Sequence, residues 1–124
     1  MKVKDLFDKE KHAATTISPE ATVYDALRLM AEKEIGAIVV LEEDKMVGIF
    51  SERDYARKVI LKGKNSKDTL VREIMTADVS HASFDQKLNK CLSLMTKKRF
   101  RHMPVLENGR LMGILSIEDM RSMV

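Results

Sequence analysis

The sequence predicts an α/β fold of the α+β kind: two tandem β-α-β-β-α units closed on each other about a pseudo-twofold axis. Three observations carry that prediction. Sliding the 124-residue chain by 65 residues aligns Ala14–Val59 with Val79–Val124 without a gap, and 13 of the 46 pairs are identical. The identities include Leu27/Leu92, Met30/Met95, Gly48/Gly113, Ser51/Ser116 and Asp54/Asp119, so the chain is two copies of one unit. Each copy also carries an apolar stripe at helical spacing, followed by β-branched or apolar runs joined by turn residues. Two copies are too few for an open solenoid, so closure of one on the other is expected.

Each element follows from its residues. Thr22-Val23-Tyr24-Asp25 has the form of a capping box with Asp at its last position and opens a helix. Its stripe is Val23, Ala26, Leu27 and Met30, repeated as Leu88, Cys91, Leu92 and Met95. That spacing puts Cys91 on a buried face, as an inert core thiol. Ile38–Leu41 reads as a strand, linked by Glu43-Asp44 to Met46–Phe50. In the second copy Asn108-Gly109, a strong hairpin signal, joins Met103–Leu106 to Leu111–Leu115. A second helix then runs from Glu52 to about Leu61, and from Ile117 to the C-terminus. The short segments Thr15-Thr16-Ile17 and Ser80-His81-Ala82 supply the first strand of each unit. A weaker echo, Val3–Phe7 against Val71–Met75, precedes both copies. The expected organisation is one module: repeat 1 with its N-terminal segment over residues 1–61, a polar linker over 62–70, and repeat 2 over 71–124.

Composition narrows the function classes. The chain is 44% hydrophobic and 33% charged, with a net charge of +3 from 22 basic and 19 acidic residues. That balance does not by itself imply nucleic acid. The segment Asp85–Arg101 is locally basic, but aromatics make up only 5% of the chain, so no stacking surface for bases is expected. No apolar run reaches the length of a spanning helix, and Met1–Asp5 lacks the apolar stretch of a secretory leader. The single cysteine suits a reducing compartment, and a cytoplasmic location without membrane attachment is expected. His12, His81 and His102 are isolated and show no metal-ligand spacing. No Gly-x-Ser-x-Gly elbow is present, so neither a catalytic residue nor a catalytic cofactor is expected.

The chemistry concentrates in one repeated phrase, Gly48-Ile49-Phe50-Ser51-Glu52-Arg53-Asp54 and Gly113-Ile114-Leu115-Ser116-Ile117-Glu118-Asp119. A strand ending at serine with a helix starting there presents N–H groups and a hydroxyl, an arrangement suited to phosphate. Asp54 and Asp119 follow one turn later, each a carboxylate able to accept two hydrogen bonds from a ribose diol. Gly48 allows close backbone approach. Ser-x-x-Asp is equally an ordinary N-cap, and the two roles are compatible.

The doubled phrase, each copy after a matched helix and hairpin, resembles the CBS domain family, whose tandem pair is called a Bateman module. Arg101-His102-Met103-Pro104-Val105 is similar to that family's second-strand opening, and the likeness extends from about Val3 to Val124. It is nearest to stand-alone bacterial-type pairs, with which the Ser-Glu-Arg-Asp-Tyr and Val-Arg-Glu-Ile-Met wording agrees. The resemblance implies a regulatory module that binds an adenine nucleotide or related adenosyl compound (AMP, ADP, ATP, NAD(H) or S-adenosylmethionine) in clefts between the repeats. It implies ribose contacts from Asp54 and Asp119 beside Ser51 and Ser116. The base would lie against Ile35-Gly36-Ala37 or Phe100-Arg101-His102, with backbone hydrogen bonds from Thr15, Thr16 and Ile17 or from Ser80, His81 and Ala82. Phosphates would meet Arg101 and His102. Copy one has only Arg53 as its nearest basic candidate, so the two sites are expected to be unequal.

The family also implies a homodimer through the helices after each third strand, with apolar residues Tyr55, Ala56, Val59 and Ile60, and Met120, Met123 and Val124. The signal would pass to an unidentified downstream protein. The alternative reading, from a different class, is a protein-interaction scaffold with empty clefts. Nine methionines suit adaptable protein contacts, although core filling accounts for most of them.

Overall fold

A computed structural model describes residues 1–123; Val124, the last residue of the second apolar stripe, lies outside the described residues. In chain order the elements are α1 (Val3–Leu6), β1 (Thr16–Ile17), α2 (Val23–Lys33), β2 (Ala37–Glu42), β3 (Lys45–Ser51), α3 (Glu52–Asp54), a π-helical segment (Tyr55–Ile60), α4 (Val71–Ile74), α5 (Leu88–Lys98), β4 (His102–Glu107), β5 (Arg110–Ser116) and α6 (Ile117–Arg121). They form two units. One is Thr15–Val79, and the other joins Met1–Ala14 to the chain from Ser80 onward. Packing units and sequence repeats are therefore different divisions of this chain. The short helix before each repeat packs in the unit that contains the other repeat's hairpin.

In the Thr15–Val79 unit, α2 starts because the Thr22 Oγ1 accepts from the Asp25 N–H at 3.1 Å. Its stripe buries Val23, Ala26 and Met30. It ends where Glu34 turns left-handed (φ 54°) and the Ile35 N–H reaches back to the Met30 carbonyl at 3.0 Å. The hairpin β2–β3 turns through Glu43 and Asp44, both at positive φ, as a two-residue turn matched to strand twist requires. β1 adds in parallel on the other edge of β2, giving the order β1-β2-β3. Ile38, Val40 and Phe50 from the sheet meet Val23, Ala26, Met30, Val59, Val71 and Ile74 in one core.

The helix expected over Glu52 to about Leu61 takes a different form. A single α-helical turn gives way to six residues of π-helix, in which the Leu61 N–H bonds the Ala56 carbonyl, five residues back, at 3.2 Å. The wider turn still directs Val59 into the core while Ile60 and Leu61 stay exposed.

The second unit repeats this plan with one difference. α5 buries Leu88, Cys91 and Met95 and ends at Arg99 (φ 60°). β4 and β5 turn through Asn108 and Gly109, again both at positive φ. Both hairpins carry an irregularity at the matched place, Val40/Leu41 and Val105/Leu106. The Ser80-His81-Ala82 strand, however, shrinks to one bridge, with the Ala82 N–H donating to the Pro104 carbonyl at 2.9 Å and the Leu106 N–H to the Ala82 carbonyl at 2.8 Å. The cause is Pro104. In the first unit the Val39 N–H continues the ladder to the Thr15 carbonyl at 3.0 Å; the matched residue here is proline, which has no N–H. Met95, Met103 and Met120 fill this core and Met30 the other, whereas Met112 and Met123 are exposed.

Candidate ligand-binding site

The strand pairing gathers the sequence-singled residues into two matched clusters. In one unit Ala37 pairs with Ser51 and the Glu52 N–H donates to the Gly36 carbonyl at 3.1 Å. In the other, His102 pairs with Ser116 and the Ile117 N–H donates to the Arg101 carbonyl at 2.8 Å. The start of each hairpin thus lies against the serine turn that ends it. Ile35 and Phe100 sit at these starts, half-buried against their cores. Thr16 and Ile17 lie across β2 from the serine turn, and the Thr15 carbonyl is engaged by Val39. His81 is exposed and Ala82 buried, on the edge of β4 opposite β5.

Both serines cap their helices. The Asp54 N–H donates to Ser51 Oγ at 3.2 Å while the Ser51 N–H donates to Asp54 Oδ2 at 3.0 Å. Ser116 and Asp119 repeat the exchange at 3.1 and 2.8 Å. Such caps stabilise a helix end by about 1 kcal/mol, so each Ser-x-x-Asp turn has a structural role of its own. The helices they open are one or two turns long, which leaves the aspartate carboxylates as the main polar feature at each turn.

Gly48 and Gly113 permit a close approach, and what approaches is the protein's own chain. A Cβ on Gly48 would meet Met75 Sδ at 2.6 Å and the Thr76 carbonyl oxygen at 2.9 Å. One on Gly113 would collide with the His12 carbonyl and the Phe7 ring. These segments bond to matched residues: the Ile49 N–H donates to the Thr76 carbonyl, and the Ile114 N–H to the His12 carbonyl, each at 2.9 Å. Thr76 and His12 therefore hold equivalent places, each beside one aspartate.

From here the two clusters diverge. Asp54 Oδ2 accepts from the Ser51 N–H and hydroxyl. Its Oδ1 accepts from the Thr76 hydroxyl at 3.1 Å and faces Lys58 Nζ at 3.0 Å. The side chain is 9% exposed. Asp119 Oδ2 accepts from the Ser116 N–H, but its Oδ1 lies 3.9 Å from His12 Nε2, and this side chain is 28% exposed. His12 is itself 4% exposed. Its Nδ1 accepts from the Asp8 N–H at 2.9 Å, which assigns the ring proton to Nε2. That buried Nε2–H has no hydrogen-bond partner among the described residues. The Asp8 loop holding it is locked in turn: the Lys11 and Glu10 N–H groups on Asp8 keep its carboxyl below the ordinary value of 3.8.

Arg101 pairs with Glu118 across the surface, His102 is half-buried on β4, and Arg53 is exposed on α3. Burial pushes the Cys91 thiol pKa up, as an inert core position requires. The described residues hold no cluster of metal-ligating side chains and no helix long and apolar enough to cross a membrane. Three residues outside the expected site, His12, Thr76 and Lys58, thus define its polar surroundings. Lys58 had a signal in its four-residue spacing from Asp54. His12 and Thr76 had none, because irregular chain brings them in.

Comparison with known proteins agrees with this arrangement. The CBS domain family matches the chain twice, over residues 3–61 and 71–124. The mitochondrial CBS domain-containing protein CBSX3 of Arabidopsis thaliana is 40% identical over 103 residues, covering 79% of this chain and 50% of its own. The chain thus spans about half the length of that curated relative. A solved structure of a protein with CBS domains from Burkholderia ambifaria MC40-6, named for signal transduction, is 43% identical with a TM-score of 0.93, covering 99% of this chain and 93% of that one. The CBS domain pair of protein MJ0100, solved in complex with 5′-methylthioadenosine and S-adenosyl-L-methionine, shares the fold at 24% identity and a TM-score of 0.85, covering 99% and 94%. Two family matches, together spanning nearly all of the sequence, and hairpins in matching register at both establish that the chain belongs to the CBS domain family and carries two copies of the domain.

Proposed function

We propose that this CBS pair is a regulatory sensor of an adenosyl compound, one of AMP, ADP, ATP, NAD(H) or S-adenosylmethionine, and that it is not an enzyme. The observation that carries the reading is the Asp119 turn. Its partly exposed carboxylate keeps acceptor capacity that no described residue uses, which suits the hydroxyls of a ribose. Ser116 supports the carboxylate from behind. Arg101 and His102, at the start of β4, are the groups for the phosphates, and Phe100 is the apolar neighbour for the base. Gly36, Ala37, Ser51, Arg53 and Asp54 form the matched cluster. The fold itself accommodates adenosyl compounds in the MJ0100 domain pair.

In this reading the module works in the cytoplasm as a homodimer and transmits occupancy to a partner protein. A second reading, the interaction scaffold, is favoured by one observation: Ile60 and Leu61 are exposed side by side on the π-helical segment. Thermal unfolding with AMP, ATP, NADH and S-adenosylmethionine separates the two. A ligand at 100 times its Kd adds about 2.7 kcal/mol of stability. Asp119→Ala should weaken binding by about one to two powers of ten, the loss of a charge-assisted hydrogen bond. No shift with any of the four leaves the scaffold as the function.

A further inference from the structure

Asp54 and Asp119 are matched residues in two copies of one motif, yet their carboxylates are in opposite states. A carboxylate offers about four lone-pair positions. All those of Asp54 are in use, by the Ser51 N–H, the Ser51 hydroxyl, the Thr76 hydroxyl and the Lys58 ammonium. Lys58 is fixed at a second point, because its Nζ also donates to the Ile74 carbonyl at 3.2 Å. Among the described residues Asp119 has one such partner, Ser116. The residue matched to Lys58 is Met123, which has no charge to place there. The residue in the position of Thr76 is His12, whose N–H stops 3.9 Å short of the carboxylate. That gap is too long for a hydrogen bond, and His12 Nε2 is buried, so the open acceptor positions are those of the partly exposed Asp119 carboxylate. A ligand hydroxyl reaching this turn donates to Asp119.

We infer that the module takes one adenosyl ligand per chain, at Asp119, and that Lys58 is the residue that denies a second ligand to Asp54. The inference rests on the adenosyl reading given above. A ligand diol at Asp54 must first displace a charge-assisted bond to a nearly buried carboxylate, the strong kind of hydrogen bond; at Asp119 no described residue holds that place. Lys58 is therefore a determinant of stoichiometry: a cation borne by the chain occupies the acceptor that the other copy leaves open.

Calorimetric titration with AMP, and in parallel with S-adenosylmethionine, tests this. Wild type should bind one molecule of the recognised compound per chain, and Asp119→Asn should weaken that site at least tenfold. Lys58→Met, which installs the residue of the other copy, should raise the stoichiometry to two. The added site should vanish again in Lys58→Met/Asp54→Asn. Lys58 is partly exposed, and Lys58→Gln serves as the second variant if the Met variant does not fold. Two molecules bound by wild type, or one by a folded Lys58 variant, overturns the inference and leaves the adenosyl reading standing. A single wild-type site that survives Asp119→Asn but not Asp54→Asn overturns the assignment. With neither compound bound, the titration is extended to ADP, ATP and NADH, and no binding of any of the five by wild type or variant rejects both readings together.

Discussion

The His12 carbonyl lies against the α-carbon of Gly113 and accepts the Ile114 N–H at 2.9 Å. The glycine thus lets the N-terminal loop lie on β5 and carry the His12 ring to Asp119. The motif glycine thus admits the chain segment that brings the imidazole beside the carboxylate.

Gly113→Ala should therefore destabilise more than Gly48→Ala. At Gly113 the new methyl meets a backbone carbonyl and an aromatic ring, neither of which yields cheaply. At Gly48 the nearest atoms belong to the flexible Met75 side chain, with the Thr76 carbonyl next. Overpacking of this kind costs about 1–3 kcal/mol. Urea unfolding of both variants checks the order; equal midpoints would falsify the account.

Pro104→Val should extend the parallel pairing in the second unit. The new N–H is placed to donate to the Ser80 carbonyl, as Val39 does to Thr15. One hydrogen bond contributes about 1 kcal/mol, and loss of proline costs about 0.4–1 kcal/mol through the unfolded chain. Stability should therefore change little, while the amide at 104 becomes protected from hydrogen exchange. An unprotected amide there would show that something other than the missing donor shortens the strand.

Much of this architecture was legible because it is local and written twice. The α2 and α5 stripes, the Glu43-Asp44 and Asn108-Gly109 turns and the Ser-x-x-Asp caps depend on residues near each other in sequence, and the repeat checks each against its copy. The π-helical segment was not legible: Tyr55–Ile60 has ordinary helix formers, and hydrogen-bond spacing leaves no mark in side-chain type. The expected Ser80-His81-Ala82 strand overlooks Pro104, whose missing N–H cannot continue a ladder. The polar lining of the site was hidden for a different reason. His12 and Thr76 reach their aspartates from irregular chain whose path depends on Gly113 and Gly48, and no periodicity encodes that path.

Ile60 and Leu61 stand exposed at the end of the π-helical segment, while Val59 beside them is buried. In the proposed homodimer this exposed apolar pair is the contact between two copies related by twofold symmetry. Ile60→Glu/Leu61→Glu should therefore shift the protein to a 14.1 kDa monomer in sedimentation equilibrium at micromolar concentration. Wild type should sediment as a dimer; a monomeric wild type would reject homodimerisation.

The Asp8 turn sets a pH response at the base of the loop that carries His12. Asp8 accepts the Lys11 and Glu10 N–H groups through Oδ1, and those bonds favour the ionised form and lower its pKa from 3.8. A carboxyl whose folded pKa lies below its unfolded value contributes stability that is present above the unfolded value. That contribution is lost as pH falls through the folded one. The loop should therefore hold its form at neutral pH and loosen only below pH 3.8, where Asp8 protonates and releases both amides. The Asp8 N–H also fixes His12 Nδ1 as the acceptor nitrogen, so loosening of the loop reaches the imidazole. Carboxyl-detected NMR titration should place the Asp8 midpoint below 3.8, with the Glu10 and Lys11 amide signals moving in step. In Asp8→Ala the same loosening should be present already at neutral pH, read as mixed tautomers in the His12 ¹⁵N shifts. A midpoint at or above the ordinary carboxyl value, or an unchanged His12 tautomer in the variant, would remove Asp8 from the support of the site.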